Sequence, residues 1–286
     1  MEVLSQKRCI VGEGPIWNEK EKRLYYTNAY GKEICFYDLK IKKVRVRALP
    51  FDVAAFVFDC QNNLIVSHAD GVHILGEDNC LTPIYDNYRY QIRFANDMKV
   101  GPDGAIYVGT QSGKRKGVSD KTDGKLYRIS DSGEVRILLD GLVLSNGMDW
   151  SIDEKRFYHA DTPTNLIREY VFDKNTGEIN FTGRQVFVKG VDGFAMGEND
   201  CLYVGCWNCG RIAVVDTKLM KIVEYISIPC KIPSSCAFCG EAMDVLAVTT
   251  ASKDLGLTAD ENDGFTLLLQ IETRGRKPFI FGTKHN

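Results

Sequence analysis

The sequence predicts an all-β protein, a six-bladed β-propeller with its active site at one end of the central channel. Three observations favour this fold: a repeated strand–turn–strand unit, even spacing of its copies, and polar residues at one phase of the repeat. The clearest copy runs from Asn96 to Thr110 and reads NDMKVGPDGAIYVGT. Its turn, Pro102-Asp103-Gly104, is specific, because proline pre-sets φ and glycine accepts the positive φ that such a turn needs.

The other copies carry the same unit along most of the chain. They begin at Glu13, Ala54, Ser145, Asp192 and Ser235. A repeat of about forty to fifty residues with four short strands per unit is typical of a propeller blade. We therefore expect one domain spanning residues 1–286, since large all-β architectures often run this long without division.

The candidate functional residues stand at one phase of the repeat. The copies align on the central residue of the second strand: Tyr25, Ile65, Tyr107, Tyr158, Tyr203 and Leu246. Eleven or twelve positions earlier stand Glu13, Ala54, Asn96, Asn146, Asp192 and Ser235. A fixed phase of the repeat faces the channel, so the polar members should converge on its axis. Asn-Gly and Asp-Gly pairs also form hairpin turns, but the shared phase favours the axial interpretation.

Composition excludes several classes of function. The net charge of −2, from 36 basic and 38 acidic residues, is not that of a nucleic-acid-binding protein. The N-terminus has no signal-peptide core, and no apolar run reaches the ~18 residues of a membrane span. We therefore expect a soluble, cytoplasmic monomer or weak homo-oligomer without nucleic-acid or membrane partners. The ten cysteines should be reduced.

The axial residues form a candidate metal site. Glu13, Asp192 and the amide oxygen of Asn146 make an oxygen-only ligand set, which hard divalent cations prefer, Ca²⁺ first, with Zn²⁺, Mn²⁺ or Mg²⁺ as alternatives. Two carboxylates balance one divalent ion, and three protein ligands leave positions for water and substrate. The alternative is a metal-free acid/base carboxylate pair, as in glycoside hydrolysis. Asn146 argues against it, because an amide ligates but does not titrate.

Four motifs resemble those of a known family. GEGPIW, NDMKVGPDG…YVGT, SNGMDWS and VDGFA…CLYVGCW are similar to the regucalcin/senescence-marker and gluconolactonase family of six-bladed propellers, and the resemblance spans essentially the whole chain. It implies that Glu13, Asn146 and Asp192 ligate the metal, with Asp192 the general base. It also implies that Asn96 contacts water or substrate, and that the reaction is hydrolysis of a sugar-acid lactone.

Two positions depart from the family pattern. The substrate-contacting arginine normally stands two residues before the asparagine, whereas Arg93 stands three before Asn96. Some relatives carry a carboxylate near the position of Lys114, where this chain has the basic run Lys114-Arg115-Lys116. Arg93 and Lys114 are therefore candidate substrate-binding residues for a lactone that carries an additional negative charge.

Two other functions remain open at the level of sequence. A phosphotriesterase-like hydrolase could use the same metal site, because fold and metal do not determine the substrate. A non-catalytic, calcium-binding propeller could hold the metal without turnover. Activity on organophosphate esters in excess of lactones would identify the first, and intact metal binding without turnover the second.

A charge reversal at Lys114 tests the expectation of an anionic substrate. A direct charge-assisted contact is worth about 1.5–3 kcal/mol, or roughly one to two decades in kcat/KM. Lys114→Glu should therefore lower kcat/KM for an anionic lactone far more than for gluconolactone, and the gap should shrink in high salt. Equal effects on both lactones would make Lys114 an ordinary surface charge.

Overall fold

The computed structural model describes residues 1–113, 121–252 and 260–283, and these residues form short antiparallel strands with two brief 3-10 turns, Ala29–Gly31 and Thr162–Thr164. The first blade contains β2 (Gly12–Asn18), β3 (Arg23–Asn28), β4 (Glu33–Asp38) and β5 (Lys43–Ala48). The second contains β6 (Phe56–Phe58), β7 (Leu64–His68), β8 (Gly71–Leu75) and β9 (Leu81–Pro83). The third contains β10 (Ala95–Val100), β11 (Ile106–Thr110), β12 (Gly124–Ile129) and β13 (Val135–Leu142).

The fourth blade contains β14 (Ser145–Trp150), β15 (Arg156–Asp161), β16 (Leu166–Asp173) and β17 (Glu178–Phe187). The fifth contains β18 (Val191–Met196), β19 (Cys201–Cys206), β20 (Arg211–Asp216) and β21 (Lys221–Ser227). The sixth contains β22 (Pro233–Cys239), β23 (Val245–Thr250), β24 (Thr266–Gln270) and, as its outermost strand, β1 (Glu2–Leu4). The six four-stranded sheets confirm the predicted propeller.

The first and last strands of the chain close the ring. β1 pairs with β24 in antiparallel register, Glu2 opposite Leu268 and Leu4 opposite Thr266. The N-terminal strand thus completes the sixth blade before the chain enters the first. This pairing joins the two ends of the sequence through main-chain hydrogen bonds and covers the outer edge of β24.

The C-terminal segment, residues 272–283, crosses the channel end opposite the candidate site and bonds to every blade. From the first blade to the sixth, its contacts are Lys277 with Glu19 (3.1 Å), Phe281 with Phe58 (3.0 Å), Gly282 with Gly104 (3.0 Å), Arg276 with Asp149 (2.6 Å), Arg274 with Glu198 (2.7 Å) and Gly275 with Met243 (2.8 Å). Phe279, 4% exposed, anchors the segment in the core. Its ring lies edge-on to Trp150 at 6.5 Å.

β-Bulges interrupt most of the inner strands at the axial phase. The pairing register shifts between Glu13 and Ile16, Ala95 and Met98, Asn146 and Met148, Val191 and Phe194, and Pro233 and Ser235. A bulge re-aims the side chain at its position. Asn146-Gly147 and Asp192-Gly193 therefore lie within inner strands, not in hairpin turns.

Glycine after the axial residue lets neighbouring inner strands approach each other closely. A Cβ atom on Gly147 would lie 2.4 Å from the Asp192 carbonyl oxygen, and one on Gly193 would lie 2.0 Å from Ser235 Oγ. Both distances are below any normal contact, so these positions exclude a side chain.

Within the described residues, no helix has the length and apolar character needed to cross a membrane.

Truncation of Phe279 should destabilise the propeller. Phe279→Ala removes a buried ring from the C-terminal segment, which costs about 3 kcal/mol and should lower Tm by roughly 6–12 °C. Lys277→Ala is the matched control, because its side chain is 60% exposed and its ion pair with Glu19 lies at the surface. Calorimetric melting in which the two variants behave alike would show that the segment contributes little to stability.

Candidate functional site

The inner strands bring the predicted axial residues to one end of the channel. Asn96 Nδ2 donates to Asn146 Oδ1 at 3.0 Å. The charge of Glu13 and the side chain of Asn146 both act on the Asp192 carboxylate. Asp192 and Asn146 are 4% and 7% exposed. Four side chains that are far apart in sequence therefore share one small, largely buried space.

Asn96 is held from both sides. Its Nδ2 also donates to the Ser145 carbonyl at 3.1 Å, on the fourth blade. Its main-chain carbonyl accepts from Ser67 Oγ at 2.7 Å, on the second blade. Asn146, in turn, uses its Nδ2 to donate to Thr162 Oγ1 at 2.9 Å, on the side away from Asn96. The amide groups of the site are thus part of a hydrogen-bond chain that spans three blades.

Asp97 is a site residue that the sequence analysis did not select. In a regular strand, Asn96 and Asp97 would face opposite sides of the sheet. The bulge between Ala95 and Met98 breaks this alternation, and the Asp97 charge reaches both Glu13 and Asp192. The adjacent polar pair was the visible signal, but the phase of the repeat selected only Asn96 from it.

The carboxylates of the site repel each other. Burial, and then the charge of Asp97, raises the pKa of Glu13 to about 8, although the Gly14 N–H group opposes the shift. Burial and the charges of Glu13 and Asp97 raise the pKa of Asp192 well above its usual range. Burial also raises the pKa of Asp97, against the charge of Lys99. The site therefore holds protons at neutral pH unless a cation replaces them.

A network of partly buried ion pairs lies beside these carboxylates, farther along the channel. Lys99 Nζ donates to Asp149 Oδ2 at 2.8 Å and to the Phe194 carbonyl at 2.7 Å. Arg276 Nη2 donates to Asp149 Oδ1 at 2.6 Å. Burial opposes ionisation of Asp149, but the charges of Lys99 and Arg276 lower its pKa below the usual value. Asp149 is therefore ionised and fully paired.

The donor set fits a divalent cation. Four carboxylates and two cations leave a formal charge of −2 when all of them are ionised; these groups are Glu13, Asp97, Asp149, Asp192, Lys99 and Arg276. Asp192 Oδ1 is buried without a hydrogen-bond partner among the described residues. In the same part of the chain, no three His, Cys, Asp or Glu side chains form a cluster that could hold a metal ion. Ligation here would therefore require the Asn146 oxygen as well.

The channel beyond the site is narrow and partly enclosed. A cavity of about 80 Å³ is lined by Asp97, Lys99 and Asp149, by apolar residues such as Phe56 and Phe238, and by residues 276–279 of the C-terminal segment. Because this segment lies across the far end, we expect a substrate to approach Glu13, Asn146 and Asp192 from the opposite end.

The two predicted substrate residues have different outcomes. Arg93 Nη1 donates to Asp70 Oδ1 at 2.7 Å, and both side chains are more than half exposed. This ion pair places Arg93 at the surface near the start of β10, and its contact with substrate stays a prediction. Lys114 lies outside the described residues.

A buried Ser–His pair adjoins the site but cannot serve as its nucleophile. Ser145 Oγ and His159 Nε2 are 2.7 Å apart. Their side chains are 0% and 1% exposed, so neither reaches a substrate. Burial, with a smaller contribution from Arg168, lowers the pKa of His159 to about 3. The histidine is therefore a neutral core residue.

Comparison with known proteins decides the family. The sequence pattern of the family described as SMP-30/Gluconolactonase/LRE-like region matches residues 11–252 of this chain. The chain belongs to this family. It is 30% identical over 289 residues to a Bacillus subtilis protein with the provisional name sugar lactone lactonase YvrE, covering 96% of each chain. It is 28% identical to regucalcin of Xenopus laevis over 285 residues, covering 95% of this chain and 94% of that one.

Solved structures show the same fold. A calcium-binding protein, regucalcin, from Agrobacterium tumefaciens superimposes with a TM-score of 0.85 at 23% identity, covering 98% of this chain and 97% of that one. The gluconolactonase XC5397 from Xanthomonas campestris has a TM-score of 0.73 at 19% identity, with 94% and 88% coverage. At these identities the likeness concerns the fold alone.

The raised pKa values predict an unusual dependence of stability on pH. Between the ordinary Glu pKa of 4.5 and the folded value of about 8, the folded protein keeps a proton at Glu13 that the unfolded chain has lost. Stability therefore falls as pH rises through this window. In chelator, Tm should decrease from pH 5 to pH 8, and Glu13→Gln should flatten the decrease. A Tm that rises over this range would contradict the charge repulsion described above.

Proposed function

We propose that the protein is a metal-dependent lactonase that hydrolyses the ring ester of a sugar-acid lactone. The supporting observation is the cluster of carboxylates at Glu13, Asp97 and Asp192, whose charge the neighbouring cations do not balance when all are ionised, together with Asp192 Oδ1, which has no hydrogen-bond partner among the described residues. A divalent cation would balance this charge without protonation of the carboxylates. The family and its lactonase-named relative supply the reaction class.

Glu13, Asn146 and Asp192 would hold the cation, with Ca²⁺ the first choice because all three offer oxygen. When bound, a divalent ion polarises an ester carbonyl and lowers the pKa of water. The name calcium-binding protein, borne by the Agrobacterium regucalcin, is consistent with this choice.

The remaining chemistry belongs to side chains of this protein. A water oxygen attacks the acyl carbon, the ring C–O bond breaks, and the released alkoxide takes a proton to give the hydroxy acid. Asp192 accepts the proton of the attacking water, for which it needs a free oxygen such as Oδ1. Asn96 positions water or substrate at the same end of the channel. Arg93 and Lys114 are proposed contacts for an anionic group on the substrate.

The test compares lactone hydrolysis by the parent and by variants of the site. Rates on gluconolactone and a panel of related lactones should exceed spontaneous ring opening, and excess chelator should abolish the difference. Glu13→Gln and Asp192→Ala each remove one ligand charge and should weaken Ca²⁺ binding at least ~10-fold by calorimetry. Asn96→Ala should chiefly lower kcat.

Glu19→Gln is the matched control, because Glu19 is a partly exposed glutamate paired with Lys22 and Lys277 outside the site. It should leave both metal binding and turnover unchanged. Absence of metal-dependent acceleration on every lactone would refute the proposal. Higher activity on organophosphate esters would instead assign a phosphotriesterase, and metal binding without turnover a binding protein.

A further inference from the structure

A carboxamide ligates a cation only through its oxygen, so the orientation of the Asn146 amide decides whether this residue can serve the site. The oxygen accepts and the nitrogen donates two hydrogen atoms, which makes the two ends chemically opposite. The surrounding hydrogen bonds determine which end faces where. At Asn146 these bonds form a chain whose direction is set by the backbone.

The chain starts at a group with no choice of role. The Ser145 carbonyl can only accept, so the Asn96 atom at 3.1 Å must be its nitrogen. The same nitrogen lies 3.0 Å from the Asn146 side chain. Because it donates there too, Asn146 must present its oxygen to it. A carbonyl oxygen has a second lone pair, which leaves the Asn146 oxygen able to bind a cation.

Thr162 completes the chain at its other end. With its oxygen directed at Asn96, Asn146 directs its nitrogen at Thr162 Oγ1, 2.9 Å away. The backbone holds Thr162 in place: its N–H donates to the Leu144 carbonyl at 3.0 Å, and its carbonyl accepts from the Asn165 N–H at 3.0 Å. Thr162 also opens the 3-10 turn Thr162–Thr164, which is followed by a left-handed Asn165. The acceptor is therefore rigidly placed.

We propose that Thr162 is a positioning residue for the candidate metal centre, because its hydroxyl binds the Asn146 N–H group and keeps the Asn146 oxygen available as a ligand. This inference rests on the proposed function, since it gives Thr162 a role only if a cation binds beside Asn146.

Loss of the Thr162 hydroxyl would leave an Asn146 N–H group without its acceptor. Asp192 is a competing acceptor: its Oδ1 has no partner among the described residues, and the Asn146 side chain already interacts with this carboxylate. An N–H group freed from Thr162 would therefore bind the Asp192 carboxylate and compete with the cation for it. Residues that orient a metal ligand typically change metal affinity 10–100-fold when they are removed.

The experiment measures Ca²⁺ binding to metal-stripped protein by calorimetry at pH 8, with melting of the metal-free protein alongside. Thr162→Val keeps the shape of the side chain but cannot accept, and it should raise the Kd for Ca²⁺ about 10-fold. Thr162→Ser restores the hydroxyl and should bind within about 2-fold of the parent. Thr162→Ala repeats the test if the valine variant does not fold.

Thr164→Val is the matched control. Thr164 lies in the same turn, but its hydroxyl donates to the Asp161 carbonyl at 2.7 Å and does not contact Asn146. Its Kd should equal that of the parent, whatever happens to Tm. A purely structural role of Thr162 would lower the Tm of Thr162→Val and leave the Kd unchanged, which would overturn the inference alone. A parent that binds none of Ca²⁺, Mg²⁺, Mn²⁺ or Zn²⁺ would overturn the proposed function, and the inference with it.

Discussion

The structure depends on holding several carboxylates together inside a propeller channel. Glu13, Asp97 and Asp192 come from three different blades; burial raises the pKa of all three, and the charge of Asp97 adds to the shift of the other two. Buried like charges are tolerated only when protons, fixed cations or a bound ion balance them. The fold supplies fixed cations for only part of this charge. The remaining imbalance is a local conflict of the kind that real proteins keep at functional sites.

Farther along the channel, fixed cations balance the buried carboxylate of Asp149. Lys99 and Arg276 pair Asp149 completely, and Arg276 arrives on a C-terminal segment that bonds to every blade. The same segment closes the channel and packs Phe279 against Trp150. The two ends thus differ in charge: Asp149 is balanced by Lys99 and Arg276, whereas the end with Glu13, Asp97 and Asp192 is acidic. This asymmetry is why we place the proposed chemistry at the acidic end.

Hydrogen bonds fix the orientation of the Asn96 and Asn146 side-chain amides at the acidic end of the channel. Asn96 is bound by Ser67 on one side and by Ser145 and Asn146 on the other, so it connects the candidate ligands with neighbouring blades. The family, together with the lactonase name of one relative, is the basis of the proposed reaction.

By itself, the sequence determined the fold and which residues share one phase of the blades, because turn chemistry and the repeat phase are local properties. Repetition placed Glu13, Asn96, Asn146 and Asp192 at the same position of four blades. Only the tertiary structure decided that Asp97 joins them, since a bulge reverses the alternation on which strand patterns rest. Arg276 belongs to no copy of the repeat, and chain packing alone brings it to Asp149. Thr162 occupies the same place in its blade as Ala29 in the first, and only the structure shows its hydroxyl bound to Asn146. Local patterns therefore predict which residues face the channel, whereas charge balance and amide orientation depend on contacts between residues distant in sequence.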